Sequence, residues 1–170
     1  MTGTRPMEIR PTGAADRAAA RGVVKAAFGP EDDAVGIVET VWQCDAHLPD
    51  LDLVPVVDGR IVGHVLHSVA TVENRTVAAL APLAVAPPHQ RRGIGSALVQ
   101  EALRRADAAG HPMVVLLGHP DYYPRFGFEP AIALGLTYGD RPPPFLAFQA
   151  RRLRAYEPTI RGRLRYAWEP

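Results

Sequence analysis

The residues best suited to chemistry lie in one short segment, where a glycine-rich turn joins an apolar run to a helix-like run. The apolar run ends at Val85, and the turn at residues 90–96 reads Gln-Arg-Arg-Gly-Ile-Gly-Ser. Its glycines let the backbone curl so that successive N–H groups face one concavity, to which the start of a helix adds unpaired amides. Arg91 and Arg92 place two guanidinium groups at the rim. The segment therefore predicts a phosphate-binding turn.

Two common phosphate-binding patterns do not fit this turn. The spacing Gly93-x-Gly95-x-x-Leu98 lacks the third glycine of the dinucleotide fingerprint, and no acidic residue follows at the ribose-binding distance on a second parallel strand. The Walker pattern needs Gly-Lys-Ser or Gly-Lys-Thr, and the turn contains neither. Neither a dinucleotide nor a nucleoside triphosphate is therefore the predicted ligand.

The spacing resembles the acetyl-CoA-binding motif of the GNAT superfamily of N-acetyltransferases. The residues that carry the resemblance are Val85-x-Pro87-x-x-Gln90-x-x-Gly93-x-Gly95-x-x-Leu98. A later run at residues 122–128, Tyr-Tyr-Pro-Arg-Phe-Gly-Phe, is similar to the other signature of the superfamily, especially in a predicted bacterial acetyltransferase subgroup. The order of strands and helices also matches, so the resemblance extends to about residue 150.

The resemblance implies that acetyl-CoA is the co-substrate and indicates which residues bind it. The implied cofactor-binding residues are Leu83, Ala84 and Val85 on the strand and Gln90, Arg91, Arg92, Gly93, Ile94, Gly95 and Ser96 in the turn. The pantetheine arm would lie beside the strand, in a gap where it parts from its neighbour, and the turn would hold the pyrophosphate. A backbone amide near Val85 would polarise the thioester carbonyl and stabilise the oxyanion. Pro82 cannot donate a ladder hydrogen bond, which predicts a bulge or a parting of strands there.

The resemblance also implies a catalytic residue, Tyr123. It lies four residues before Gly127 of the Gly-Phe pair, where members of the superfamily often carry a tyrosine that protonates the departing thiolate. A phenol with a pKa of about 10 can donate to a thiolate whose thiol has a pKa of about 8.5 if the thiolate is held away from water. Core packing is the alternative role for Tyr123, and Tyr122 is then the second candidate donor.

No single residue stands out as the general base that would deprotonate the acceptor amine. Some members of the superfamily carry a glutamate on the strand that matches residues 76–85, but this sequence has none there. The remaining candidates are titratable residues near the predicted gap or on neighbouring elements, namely His119, Glu39, Asp45, His67 and Glu73. A chain of water molecules with no dedicated base is the other alternative.

Apolar periodicity predicts the elements that must position these residues. Strand patterns occur at residues 7–10, 53–57, 60–71, 76–85, 113–117, 145–150 and 163–168, and helix patterns at 14–28, 31–42, 93–109 and 121–126. Asp58 and Gly59 predict a hairpin, and Pro11 should end the first strand. We therefore predict an α+β, α/β/α-like GNAT fold: a central mixed, mostly antiparallel sheet with a splayed strand pair and flanking helices. One domain would span residues 1–170, with a core at 7–150 and a C-terminal strand extension at 151–170.

Composition limits the class of protein. A chain of 170 residues with 47% hydrophobic and 22% charged residues fits one folded domain. Its 19 basic and 18 acidic residues leave a net charge of +1, which argues against a protein that coats nucleic acid or an anionic membrane. With a single cysteine, Cys44, no intrachain disulfide is expected. No signal peptide or membrane-spanning pattern is present, so we expect a cytoplasmic protein of bacterial type.

The histidines do not predict a metal site. His64 and His67 are three residues apart on a predicted strand, which directs their side chains to opposite faces. The sequence also lacks the CxxC and HExxH spacings of zinc sites. No metal is therefore predicted.

Taken with the resemblance, these residues predict an enzyme that transfers the acetyl group of acetyl-CoA to a primary amine by direct attack in a ternary complex. The acceptor would be a small molecule or a peptide, and the sequence does not specify which. A non-catalytic acyl-CoA-binding module is the alternative, and an enzyme acting on charged tRNA or another nucleic acid is a second one. Members of the superfamily are often dimers, so a homodimer is among the expected assemblies.

Overall fold

A mixed ten-stranded sheet forms the framework of the computed structural model, which describes residues 6–142 and 144–169. Its strands are β1 (Glu8–Pro11), β2 (Leu53–Val57), β3 (Arg60–Ile61), β4 (Gly63–Val72), β5 (Arg75–Val85), β6 (Met113–Leu117), β7 (Glu129–Pro130), β8 (Leu136–Thr137), β9 (Phe148–Arg152) and β10 (Gly162–Tyr166). The central order is β1-β2-β4-β5-β6-β9-β7, while β3 pairs with β2 and β10 pairs with β4 and β8. Of these pairs β5–β6 and β8–β10 are parallel and the others antiparallel, as the mostly antiparallel prediction requires.

Helices cover both faces of this sheet. The helices are α1 (Arg17–Phe28), α2 (Ala34–Trp42) and α3 (Ile94–Ala108). The buried stripe of α3, which includes Leu98 and Ala102, packs with Val65 and Leu80. On the other face, α1 and α2 pack with Leu66 and with Ala84 of β5. Because Val65 and Leu66 are neighbours on one strand, the two helix layers must lie on opposite faces. The helix–sheet–helix layering is therefore confirmed.

β5 is a central strand that is apolar on both faces, and it separates from β6 towards its end. Its parallel pairing with β6 is limited to Ala78 and Ala79, which face Val114 and Val115. Beyond these pairs β5 continues to Val85 while β6 continues against β9. The two strands therefore splay apart, and the predicted gap between them is confirmed.

The irregularity predicted at Pro82 is also confirmed. Val65 pairs with Leu83, but His67 pairs with Leu80, so β5 carries one more residue than β4 between these two pairs. An extra residue on one strand of an antiparallel pair is a β-bulge. Pro82 lies within the bulge, where its lack of an N–H leaves no ladder hydrogen bond broken.

Several element boundaries differ from the predicted ones for local reasons. Pro11 does not end the first strand but belongs to it, because β1 lies at the sheet edge, where proline is tolerated. The strand predicted at residues 60–71 is divided into β3 and β4 at Val62, whose N–H donates to Pro55 of β2. The helix predicted at 121–126 is one 3₁₀ turn, Tyr123–Phe126. The strand predicted at 145–150 begins only at Phe148. Residues 145–148 form a turn, in which the Phe148 N–H donates to the Phe145 carbonyl.

The C-terminal strand joins the same sheet. β10 pairs with β4, where Leu164 faces Val72 and Tyr166 faces Ala70. Leu164 and Tyr166 are buried whereas Arg163 and Arg165 are exposed, so the predicted alternation along this strand is confirmed. Within the described part of the chain, no helix has the length and apolar character needed to cross a membrane.

Candidate active site

The gap between β5 and β6 exposes backbone groups at the end of β5. The Ala86 N–H donates to the Val62 carbonyl, 2.9 Å away, and therefore faces β4. Backbone groups alternate in direction along an extended strand, so the preceding N–H, that of Val85, faces the gap. The Val85 carbonyl accepts a hydrogen bond of 2.9 Å from Gln90 Nε2. The Gln90 side chain thus fixes the Val85–Ala86 peptide, which follows the one whose N–H is predicted to hold the oxyanion.

The turn that follows presents backbone amides at the start of α3. Arg91 and Gly93 both have positive φ, 63° and 81°, so the backbone is left-handed at two positions before Ile94. Alternating backbone conformations of this kind direct successive N–H groups into one concavity. No side chain of the described residues caps α3, whose first amides therefore stay available for an anion. The guanidinium-bearing residues Arg91 and Arg92 are exposed beside them.

Tyr122 brings the second signature into contact with the first. A Cβ placed on Gly95 would lie 3.1 Å from the Tyr122 hydroxyl, so this side chain reaches the first turn of α3. The Arg125 guanidinium lies 4.5 Å from the centre of the Tyr122 ring, and Arg125 Nε donates to the Tyr122 carbonyl at 2.8 Å. The structure therefore joins two segments that are nearly thirty residues apart in the sequence.

Tyr123 packs against the first residue after β6. A Cβ on Gly118 would lie 2.6 Å from Tyr123 Cε2, so only glycine allows the ring to lie this close to the backbone. The ring also contacts Tyr122 and Phe128 in edge-to-face geometry, at 5.0 and 5.6 Å between centroids. Burial, with a smaller effect from Tyr122, raises the pKa of Tyr123 to about 12. The phenol therefore keeps its proton at neutral pH.

Two residues that support Tyr123 were missed by the sequence patterns. Gly118 lies outside both signatures, and only its contact with the ring shows why glycine stands there. Gln149 is buried, and its Nε2 donates to the Gly118 and His119 carbonyls at 3.3 Å each. Because Gln149 comes from β9, thirty residues later, no local spacing indicates this contact.

The structure separates the candidate bases from one another. Glu73 lies in the turn that joins β4 to β5, at the opposite end of β5 from Val85, so its candidacy was wrong. Glu39 of α2 forms an ion pair with Arg21 of α1, and Asp45 is exposed after α2. His119 is exposed just beyond β6, on the side of the gap opposite β5.

His67 is unsuited to accept a proton, although it lies on the central strand β4. Its side chain is fully buried, and Nδ1 lies 2.9 Å from the Leu51 carbonyl, to which it donates. Burial lowers the pKa of His67 to about 4, so the ring is neutral at pH 7. His67 is therefore not a suitable general base.

A buried carboxylate surrounded by donors is the polar feature that the sequence did not predict. Asp52, 1% exposed, has one oxygen 2.7 Å from His64 Nε2 and the other 2.8 Å from both His47 Nε2 and Trp42 Nε1. Burial by itself would raise the pKa of Asp52, but the hydrogen bonds that the carboxylate accepts, with that from His64 the largest, outweigh burial and lower the pKa to about 2. Asp52 is therefore ionised, and the three ring nitrogens around it act as donors.

These donors leave little capacity for a metal ion. Both His47 and His64 direct Nε2 at the same carboxylate, as hydrogen-bond donors rather than ligands. Among residues 6–142 and 144–169, no group of three or more histidine, cysteine, aspartate or glutamate side chains is arranged to hold a metal.

Comparison with known proteins decides the family. The model of the acetyltransferase (GNAT) family matches residues 23–128, which is more than half of the chain and includes both signatures. The chain belongs to the GNAT acetyltransferase family. The resemblance inferred from the sequence is therefore confirmed, and this GNAT chain is an acyltransferase of the acetyl-CoA-dependent class.

Individual relatives agree with this assignment. The chain is 35% identical over 123 residues to the uncharacterized N-acetyltransferase YjhQ of Escherichia coli K12, a match that covers 70% of this chain and 67% of YjhQ. It superposes with a TM-score of 0.82 on the GNAT family N-acetyltransferase YhbS of Escherichia coli in complex with CoA, at 28% identity over 94% of this chain and 89% of that one. A GNAT family acetyltransferase from Brucella melitensis in complex with acetyl-CoA gives a TM-score of 0.78, at 29% identity over 96% and 97% of the two chains.

Proposed function

We propose that this GNAT protein transfers the acetyl group of acetyl-CoA to a primary amine by direct attack in a ternary complex. The observation that carries the proposal is the splayed pair β5–β6, where the Val85 N–H faces the gap and the next segment is the amide-rich turn before α3. One continuous path therefore offers a hydrogen-bond donor for a thioester and a cradle for a pyrophosphate.

The donor substrate would lie along this path. The pantetheine arm would follow residues 83–85 as a substitute strand, because β6 has left that side of β5 unpaired. The pyrophosphate would bind the first amides of α3, with Arg91 and Arg92 beside it. Two similar solved structures, YhbS and the Brucella melitensis protein, contain CoA and acetyl-CoA respectively, which supports this placement.

The chemical step needs an oxyanion donor and a proton for the leaving sulfur. The amine nitrogen attacks the thioester carbon, the Val85 N–H stabilises the oxyanion, and the C–S bond breaks with its electron pair on sulfur. Tyr123 would then donate its proton to the thiolate. Burial raises the pKa of the phenol to about 12, but the same burial destabilises the thiolate, so the sulfur becomes a stronger base where it takes the proton.

Binding of the donor can be tested without knowing the acceptor. CoA at 100 times its Kd should stabilise the fold by about 2.7 kcal/mol, which corresponds to a rise in Tm of roughly 5–10 °C for a chain of this size. Pantetheine is the matched control ligand, because it can fill the gap but lacks the pyrophosphate, and it should give a smaller shift. An unchanged Tm at millimolar CoA would contradict the proposal.

Turnover is tested by thiol release from acetyl-CoA with amino acids, polyamines, aminoglycosides and peptides as acceptors. Direct attack predicts intersecting double-reciprocal plots when both substrates are varied, whereas parallel plots would indicate a covalent acetyl-enzyme. CoA binding without turnover by any amine would instead support a non-catalytic acyl-CoA-binding module.

A further inference from the structure

One buried nitrogen near the gap has no partner. His64 is fully buried, and its Nε2 is 2.7 Å from Asp52 Oδ1. Because Nε2 donates to the ionised Asp52, a ring that carries one proton holds it on Nε2, and Nδ1 then carries the lone pair. His64 Nδ1 has no hydrogen-bond partner among the residues that the structure describes. A buried acceptor without a partner is costly, and such groups are often retained for function.

The position of His64 directs this lone pair towards the gap. His64 of β4 pairs with Ala84 of β5. Ala84 lies between Leu83 and Val85, in the strand end that would hold the thioester. His64 Nε2 reaches Asp52, the residue before β2, and the sheet order is β2-β4-β5-β6. The two ring nitrogens of an imidazole face nearly opposite directions, so Nδ1 faces away from β2, towards β5. The gap begins one strand further on, at about 4.8 Å per strand.

Ala84 is the residue of β5 that lies between His64 and the gap. Directly paired residues on antiparallel strands have side chains on the same face, so Ala84 is the side chain between His64 and the gap. The Ala84 side chain is a single methyl group, buried on the face covered by α1 and α2, whereas the next side chains of β5, Leu83 and Val85, pack on the α3 face.

We infer that His64, through one water in the gap, accepts the proton of the acceptor ammonium, and that Asp52 is the residue that positions it. The inference rests on the proposed acetyl transfer and extends it by naming the base. Asp52 fixes the ring with its lone pair towards β5 and stabilises the imidazolium that forms.

The protons of the reaction balance with this assignment. The ammonium gives one proton to water, which passes one to His64 Nδ1, and the neutral amine forms the C–N bond. The C–S bond breaks, and Tyr123 protonates the thiolate. The intermediate loses a second N–H proton, which replaces the one given by Tyr123. His64 later releases its proton to solvent, so the products are an acetamide, CoA thiol and one free proton.

The charges around His64 favour this role only because Asp52 is present. The titratable and charged groups near it are His47 before β2, His67 on β4, and Arg17 and Arg21 of α1. The guanidinium groups of Arg17 and Arg21 lie 4.9 and 5.7 Å from the centre of the Trp42 ring. Trp42 in turn lies beside His64, at 5.7 Å between ring centroids. Arg21 is paired with Glu39 of α2, and the Asp52 carboxylate is the anion in contact with the ring.

His64→Gln is the direct test, because the Gln amide can still donate to Asp52 but cannot accept a proton. We expect kcat at pH 7 to fall about 100-fold or more, with the CoA-induced rise in Tm unchanged. The defect should shrink as the pH rises from 7 to 9.5, and with an acceptor of low basicity, because those amines are already neutral. His67→Asn is the matched control. It replaces an equally buried histidine of the same strand, keeps a donor to Leu51, and should retain kcat.

The outcomes separate this inference from the proposed function. If the parent protein binds CoA but acetylates no amine, the proposed function fails. If the parent is active and His64→Gln has the same kcat and pH profile, or loses activity equally at every pH, the inference is overturned and the acetyl transfer stands. Should His64→Gln not fold, Asp52→Asn is the second variant. It should move the acid limb of the activity profile to lower pH, and an unmoved limb contradicts the inference.

Discussion

Tyr122 and Tyr123 are adjacent in the sequence but occupy different places in the site. The Tyr122 hydroxyl lies over Gly95 at the start of α3, whereas the Tyr123 ring is buried against Gly118 at the end of β6. Burial raises the pKa of Tyr123 to about 12. Tyr122 thus lies beside the turn predicted to bind the pyrophosphate, and Tyr123 lies in the core at the end of β6.

This difference can be tested with one pair of variants. Tyr123→Phe keeps the ring that packs on Gly118 but removes the proton, so we expect kcat for thiol release to fall at least 10-fold with little change in Tm. Tyr122→Phe is the control and should mainly weaken CoA binding. Steady-state kinetics with varied acetyl-CoA separate the two effects. A loss of kcat in Tyr122→Phe alone would assign the proton to Tyr122.

At the scale of elements, the end of β6 depends on one close contact. The chain after Leu117 must pass beneath the Tyr123 ring, and Gly118 is the residue at that crossing. Gln149 of β9 holds the same stretch through the Gly118 and His119 carbonyls. β6, β9 and the 3₁₀ turn therefore fix the position of the tyrosine jointly.

Gly118→Ala should disturb this arrangement. The added methyl group would lie 2.6 Å from Tyr123 Cε2, so we expect a loss of about 1–3 kcal/mol of unfolding free energy together with lower thiol release. Gly22→Ala in α1 is the matched control, because a Cβ there meets nothing within 4 Å. That variant should gain about 0.5–1 kcal/mol through helix propensity. Urea unfolding of both proteins measures the difference, and equal stabilities would contradict the contact.

Elements with a clear period were predictable, and contacts between distant segments were not. The helix predicted at residues 93–109 is α3 (Ile94–Ala108), since its apolar stripe and the following Gly110 mark it locally. The turn before α3 was predictable because its arginines and glycines lie within five residues of one another. Asp52, which precedes β2, and His64 of β4 are twelve residues apart, and no spacing rule joins them. Their pairing is fixed by the register of β2 on β4.

For the whole molecule, buried ionisable groups make stability depend on pH. Burial lowers the pKa of His67 to about 4, against an ordinary value of 6.5. Between these values the unfolded chain binds a proton that the folded chain does not, so the free energy of unfolding rises with pH in this window. Asp52, with a pKa of about 2 against 3.8, adds stability that is lost only at lower pH, as its carboxylate becomes protonated.

We therefore expect the protein to lose about 3 kcal/mol of unfolding free energy from His67 between pH 7 and pH 4. His67→Asn should flatten this dependence, because Asn keeps a donor for the Leu51 carbonyl and does not titrate. Some slope should remain, since burial also lowers the pKa of His111. Urea unfolding at several pH values measures the effect. An equally steep dependence in His67→Asn would show that another group is responsible.

The bulge at Pro82 reverses the faces of the sheet that odd- and even-numbered residues of β5 occupy. Before it, the even-numbered Ala78 and Leu80 belong to the α3 side, and after it the odd-numbered Leu83 and Val85 do. The inversion also decides which backbone amides point at the gap. Deleting one residue of the bulge would leave both signatures intact, yet turn the Val85 amide towards β4. The chemistry predicted from the motif thus depends on a bulge that lies three residues before Val85.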